Sequence, residues 1–123
     1  KMELYEKEGY PGVDGVKELL QSLKSAGFLL AVASSSPYRN IVLAVEALGI
    51  RAYFDQLVSG ESVPNPKPAP DVFLAAAKVL GTEPEDCLVI EDSCSGVRAA
   101  GNAGMACIGF GIPIPAARIS LSR

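Results

Sequence analysis

The chain has 123 residues, 49% of them apolar and 20% charged, with a net charge of −3 and no histidine. That balance fits one globular domain with a modest core. It excludes a wholly disordered chain and a basic nucleic-acid or membrane-surface binder, and it leaves proton transfer and metal binding to carboxylates, hydroxyls, lysine or thiols.

The opening ten residues read as the last turns of a helix stopped at Gly9, and Pro11-Gly12 makes a turn. From Asp14 a helical spacing sets in with Val16, Leu19, Leu20 and Leu23, and Gly27 closes it. Phe28 to Ala33 is an unbroken apolar run, which predicts a parallel strand covered on both faces. Ser34-Ser35-Ser36-Pro37 ends that strand, with Ser36 as the expected N-cap and Pro37 at the first helical position. The next helix carries Ile41, Val42, Val45 and Leu48 and stops at Gly49.

Phe54 to Val58 is a weaker strand pattern, followed by a loop from Ser59 to Pro70. Pro66, Pro68 and Pro70 flank or closely follow Lys67 and stiff the loop around it. Asp71 to Leu80 reads as a helix ended by Gly81, and Cys87 to Ile90 as another buried strand. Glu91-Asp92-Ser93 stands at its carboxyl end, a helix runs from Gly96 to Ala103, and Met105 to Phe110 is a last strand. Alternating helices and strands with short connections predict an α/β fold, a Rossmann-like parallel sheet with helices on both faces.

Cys87, Cys94 and Cys107 are odd in number and lack paired spacing, so buried reduced thiols are expected rather than a disulfide framework or zinc site. No apolar stretch is long enough to span a bilayer, and the charged opening has no signal-peptide pattern. A cytoplasmic location is the expectation, with neither nucleic acid nor membrane as a partner.

In an open parallel sheet, ligands bind beyond the carboxyl ends of the strands. Three polar clusters fall there: Ser34 to Ser36, Lys67, and Glu91-Asp92. The serines can cap a helix, and a hydroxyl beside helix-start amides also makes an anion site. Lys67 can be a solvated loop lysine, but its proline setting suits a positioned ammonium. Glu91-Asp92 can be a helix-start acidic pair favoured by the dipole. Alternatively, it can hold a hard divalent cation such as magnesium, which would offset the burial of charge after an apolar strand.

These motifs resemble the haloacid dehalogenase superfamily, in its beta-phosphoglucomutase-like branch. Ala31 to Ser36 resembles the family's second motif, Lys67 to Phe73 the third, and Val89 to Ala100 with Ala103-Gly104-Met105 the fourth. Pro11-Gly12-Val13 looks like the return from the cap to the core, and the likeness covers roughly residues 1 to 111. The resemblance implies phosphoryl transfer through an aspartyl-phosphate with Mg2+, acting on small phosphorylated metabolites such as sugar phosphates. It implies that Ser34, with Ser35, binds the phosphoryl oxygens. Lys67 then neutralises charge between phosphate and nucleophile, and Asp92, assisted by Glu91, holds the metal.

The resemblance also divides the chain into a remnant of a helical cap (1–10), a core lacking its first strand (11–111), and an irregular tail (112–123). The family's Asp-x-Asp segment is missing, so the chain is expected to be inactive alone. The strands beside the missing one are expected to expose unpaired edges that favour a dimer. In relatives a segment such as Asn-Pro-Asn-Ser-Gly often follows. Loss of one adenine from its first codon reproduces the run from Ile112 to Leu121, so the tail is read as a frameshift product. The competing expectation is a non-catalytic phosphate- or partner-binding remnant. A receiver-type signalling domain is disfavoured by the order serine, lysine, acidic pair.

Overall fold

The computed structural model describes residues 2–4 and 13–109. Its elements are β1 (Met2–Leu4), α1 (Val13–Ser25), β2 (Leu30–Ser34), α2 (Tyr38–Ala47), β3 (Gln56–Ser59), α3 (Asp71–Leu80), β4 (Leu88–Glu91), α4 (Cys94–Asn102) and β5 (Ala106–Gly109). The five strands form one parallel sheet in the order β3-β2-β1-β4-β5.

The alternation along β2 explains how helices cover both faces. Leu30 and Val32 pack with Leu20 of α1, Ile41 and Val45 of α2, and Ile50. Ala31 and Ala33 point to the other face, where Val72, Phe73, Ala76 and Ala77 of α3 meet Val97, Ala99 and Ala100 of α4. All five residues of β2 are buried, as its apolar sequence requires.

Helix α3 runs over the residues its sequence pattern marks, and its C-terminal Gly81 adopts φ +72. A side chain there would cost about 1–2 kcal/mol, which is why glycine closes the turn. On α1, Leu20 is buried as expected, but Leu19 is 43% exposed, because one stripe of the helix faces the sheet.

Two expectations about the start of the chain are corrected. Within the segment read as a helix, Met2–Leu4 is a strand, while residues 5–10 lie outside the described residues. Met2 and Glu3 pair with Leu30 and Ala31, and Met2 to Leu4 pair with Leu88 to Ile90. The inner edges of β2 and β4, expected to be unpaired and to drive dimerisation, are therefore filled. The physical cause is that two parallel edges flanking a gap present rows of N–H and C=O groups that template any extended segment. Tertiary pairing then outweighs the local helical pattern. The tail from 112 onward lies outside the described residues.

Two smaller corrections concern caps and thiols. Pro37, not Ser36, precedes α2, and no side chain caps that helix. Ser36 is held elsewhere: its N–H donates to Ser34 Oγ, and its carbonyl accepts from Ser59 Oγ. Cys87 and Cys107 are buried free thiols, but Cys94, at the start of α4, is exposed. No helix among the described residues is long and apolar enough to cross a membrane.

Candidate functional site

The sheet order changes direction at β1: β2 and β3 lie on one side of it, and β4 and β5 on the other. Such a reversal opens a crevice at the carboxyl ends of the strands. Lys67 reaches into it. Its Nζ lies 3.4 Å from the carbonyl of Ala33 on β2 and 3.2 Å from Oε2 of Glu91 on β4. Because β1 stands between those strands, their backbones are about 9.6 Å apart, two strand spacings. The lysine thus bridges the ends of two strands that do not pair with each other.

Glu91 ends β4 and is fully buried. Its Oε2 faces Lys67, while its Oε1 accepts the Asp92 N–H at 3.0 Å and the Ser93 hydroxyl at 3.2 Å. Burial pushes its carboxyl above the usual value, and Lys67, the Asp92 N–H and Ser93 offset that in part. Ser93 also caps α4, accepting from the Gly96 N–H at 3.0 Å.

Gly96 lies directly against the carboxylate. A Cβ built on it would overlap the Glu91 carboxyl carbon, Oε2 and Cγ. On the other side of the ammonium, Nζ of Lys67 stands 4.8 Å from the centre of the Phe73 ring.

Ser34 ends β2 and is buried, and its Oγ accepts from the Ser36 N–H. Among the described residues its own proton goes to no other group. Ser35 follows it and is exposed. This turn is tied to the next strand by Ser59, whose hydroxyl donates to the Ser36 carbonyl at 2.7 Å and accepts from the Glu61 N–H at 3.0 Å. Gly60 permits the approach, since a Cβ there would come within 3.2 Å of Ser35 Cα.

Of the residues singled out in the sequence, Lys67 and Glu91 are in direct contact, and Lys67 reaches the residue before Ser34. Asp92 is half-buried at the same strand end. Sequence reasoning missed Ser59, Gly60, Phe73 and Gly96. The available signal for Gly96 was its place within the run resembling the family's fourth motif, at the head of the predicted helix, which does not show that it lies against Glu91. Phe73 closes the run that resembles the family's third motif, but nothing in that run shows what its ring touches.

Magnesium needs about six oxygen ligands in near-octahedral array. Among the described residues no cluster of three or more Asp, Glu, Cys or His side chains could hold a metal. Both oxygens of Glu91 already have partners. Asp92 and Glu91 alone therefore do not complete such a site, and its other oxygens would come from water, a phosphorylated substrate or other polar groups.

Comparison with known proteins gives a consistent picture. The family model for haloacid dehalogenase-like hydrolases matches residues 2–110. A phosphorylated carbohydrates phosphatase from Thermotoga maritima is 42% identical over 91 residues, covering 74% of this chain and 42% of that protein. The structure of beta-phosphoglucomutase from Clostridium difficile superposes with a TM-score of 0.73 at 34% identity, covering 77% of this chain and 42% of that one. CbbY from Rhodobacter sphaeroides, in complex with phosphate, gives a TM-score of 0.76 at 33% identity, covering 84% of this chain and 50% of that one. The chain thus spans half or less of the length of each of these relatives.

Proposed function

The chain belongs to the haloacid dehalogenase-like hydrolases, and on that premise we propose that its strand-end crevice receives the phosphoryl group of a small phosphorylated metabolite, a sugar phosphate above all. The single observation behind this reading is Lys67, a buried ammonium braced between the ends of β2 and β4. Phosphoryl transfer asks a protein chiefly for positioning and for neutralisation of the equatorial oxygens. In this reading Ser34 donates its hydroxyl to a phosphoryl oxygen, Ser35 borders the same turn, and Lys67 balances the charge. The relatives' activities, a phosphorylated carbohydrates phosphatase and a beta-phosphoglucomutase, favour a sugar phosphate.

Asp92, assisted by Glu91, would hold a magnesium ion, which would supply further charge neutralisation when bound. The family resemblance implies that the phosphoryl group would pass to an aspartate. Asp55 is a poor acceptor here: its carboxylate is bound to Lys24 and to the N–H of Leu30, which begins β2, at the opposite end of the sheet from Lys67. On this reading the 123-residue chain binds the anion without turning it over.

Phosphorus NMR with inorganic phosphate, alongside a phosphate-release assay on small sugar phosphates with and without Mg2+, tests both statements. Expected is saturable phosphate binding that Ser34→Ala and Lys67→Met weaken at least tenfold, with no turnover. Equal binding by these variants would overturn the anion site, and robust Mg2+-dependent turnover would overturn the inactivity.

A further inference from the structure

We propose that Phe73 and Gly96 are positioning residues for Lys67, one through the face of its ring and the other by leaving room for the Glu91 carboxylate; this rests on the anion-site reading above. A lysine carries its charge on a flexible four-carbon stem, so an ammonium is placed by what surrounds it rather than by its own backbone. Among the described residues, three groups lie close to this one. The Ala33 carbonyl and Glu91 Oε2 lie at 3.4 and 3.2 Å, and the Phe73 ring centre at 4.8 Å.

The ring distance is within the range at which an aromatic face attracts a cation, and the attraction is strongest where water is excluded. Water is largely excluded here, since the Lys67 side chain is 6% exposed and Phe73 is fully buried. A leucine would fill the core at this place, but it has no negative face to offer the ammonium.

Gly96 acts through Glu91. The carboxylate occupies the volume that any side chain at position 96 would take. It cannot simply swing away, because Asp92 N–H and Ser93 Oγ hold its other oxygen. A methyl group at 96 must therefore push Oε2 out of line with Lys67 or displace α4.

Single-site incorporation of mono-, tri- and pentafluorinated phenylalanine at position 73 of the full chain weakens the ring's attraction with little change of shape. Three quantities are read: inorganic phosphate affinity, the chemical shift of the Lys67 ε-methylene protons that the ring shields, and the thermal midpoint. Affinity is expected to fall stepwise with fluorine content, by roughly 5- to 30-fold at full substitution. The lysine protons should move toward their free-chain shift, and the thermal midpoint should stay near that of the unmodified protein. Gly96→Ala is expected to weaken phosphate binding by a comparable factor, with the helical circular dichroism retained.

Unchanged affinity in the pentafluorinated protein or in a folded Gly96→Ala would overturn the assignment of that residue and leave the anion site standing. Loss of affinity that follows the thermal midpoint rather than fluorine content would make Phe73 a core residue and nothing more. Failure of the unmodified chain to bind phosphate would remove the anion-site reading, and this inference with it.

Discussion

Lys67 Nζ sits 3.2 Å from Glu91 Oε2, and the two side chains are 6% and 0% exposed. A charge pair this deep is costly to assemble, because desolvation offsets much of the Coulomb gain. It is more costly still to break, because one charge is then left alone in the interior.

Lys67→Met should accordingly destabilise the fold by about 3–5 kcal/mol. The double variant Lys67→Met with Glu91→Leu should recover a large part of that loss, since neither charge remains buried. Urea unfolding of both singles and the double checks it. Strict additivity would mean that the two side chains are not coupled.

Acid and base should pull on different parts of the molecule. At Asp55, burial raises the carboxyl, but the Lys24 ammonium and the Leu30 N–H outweigh it and hold it below its usual 3.8. The folded state then binds that proton less readily than the unfolded chain. Its contribution is present above pH 3.8 and is lost as pH falls through the lowered folded value. Glu91 has the opposite sign: burial holds it above 4.5, so its contribution is present below that pH and is lost as pH rises through the raised folded value. Unfolding midpoints across pH should show Asp55→Asn flattening the acid limb and Glu91→Gln flattening the decline above 4.5. An acid limb unchanged in Asp55→Asn would count against the Lys24 pairing.

Ser59 is buried, and its hydroxyl joins the Ser36 carbonyl to the Glu61 N–H. Ser59→Ala leaves both groups without that partner, which should cost about 1–3 kcal/mol. The Ser34–Ser36 turn should loosen, so phosphate binding should weaken too. Ser59→Thr keeps the hydroxyl and should recover part of both effects. Calorimetry with phosphate titration separates the two readings, and full phosphate affinity in Ser59→Ala would show that the turn stands without this tie.

Much of the fold was legible because period and punctuation agree. Helix α3 begins at Asp71 and ends before Gly81, as its pattern indicates, and β2 reads as buried because nothing polar interrupts it. Strand β1 was not legible. Three residues cannot display a period, and Met2–Leu4 owes its conformation to the edges of β2 and β4, which are distant in sequence. The site was legible as residue types at strand ends but not as contacts. The proline-rich loop marks Lys67, yet nothing in it shows that the ammonium faces Glu91 rather than water. Ser36 shows the reverse error: it has the chemistry of a cap, and a tertiary partner, Ser59, claims its carbonyl instead.

The core layer between the sheet and helices α3 and α4 contains many small side chains: Ala31 and Ala33 of β2, Ala76 and Ala77 of α3, Ala99 and Ala100 of α4, and Ala103. Methyl groups set a thin layer, so α3 and α4 ride close to the strands, and close packing leaves little slack to absorb a larger residue. The interval between Phe73 and Gly96, one on each of these helices, is therefore set in part by alanine side chains, and of these residues Ala33 also touches the lysine, through its carbonyl. A change of valine for alanine in this layer, at a position that touches no polar group, would then shift the helices that hold Phe73 and Gly96, and with them the surroundings of Lys67.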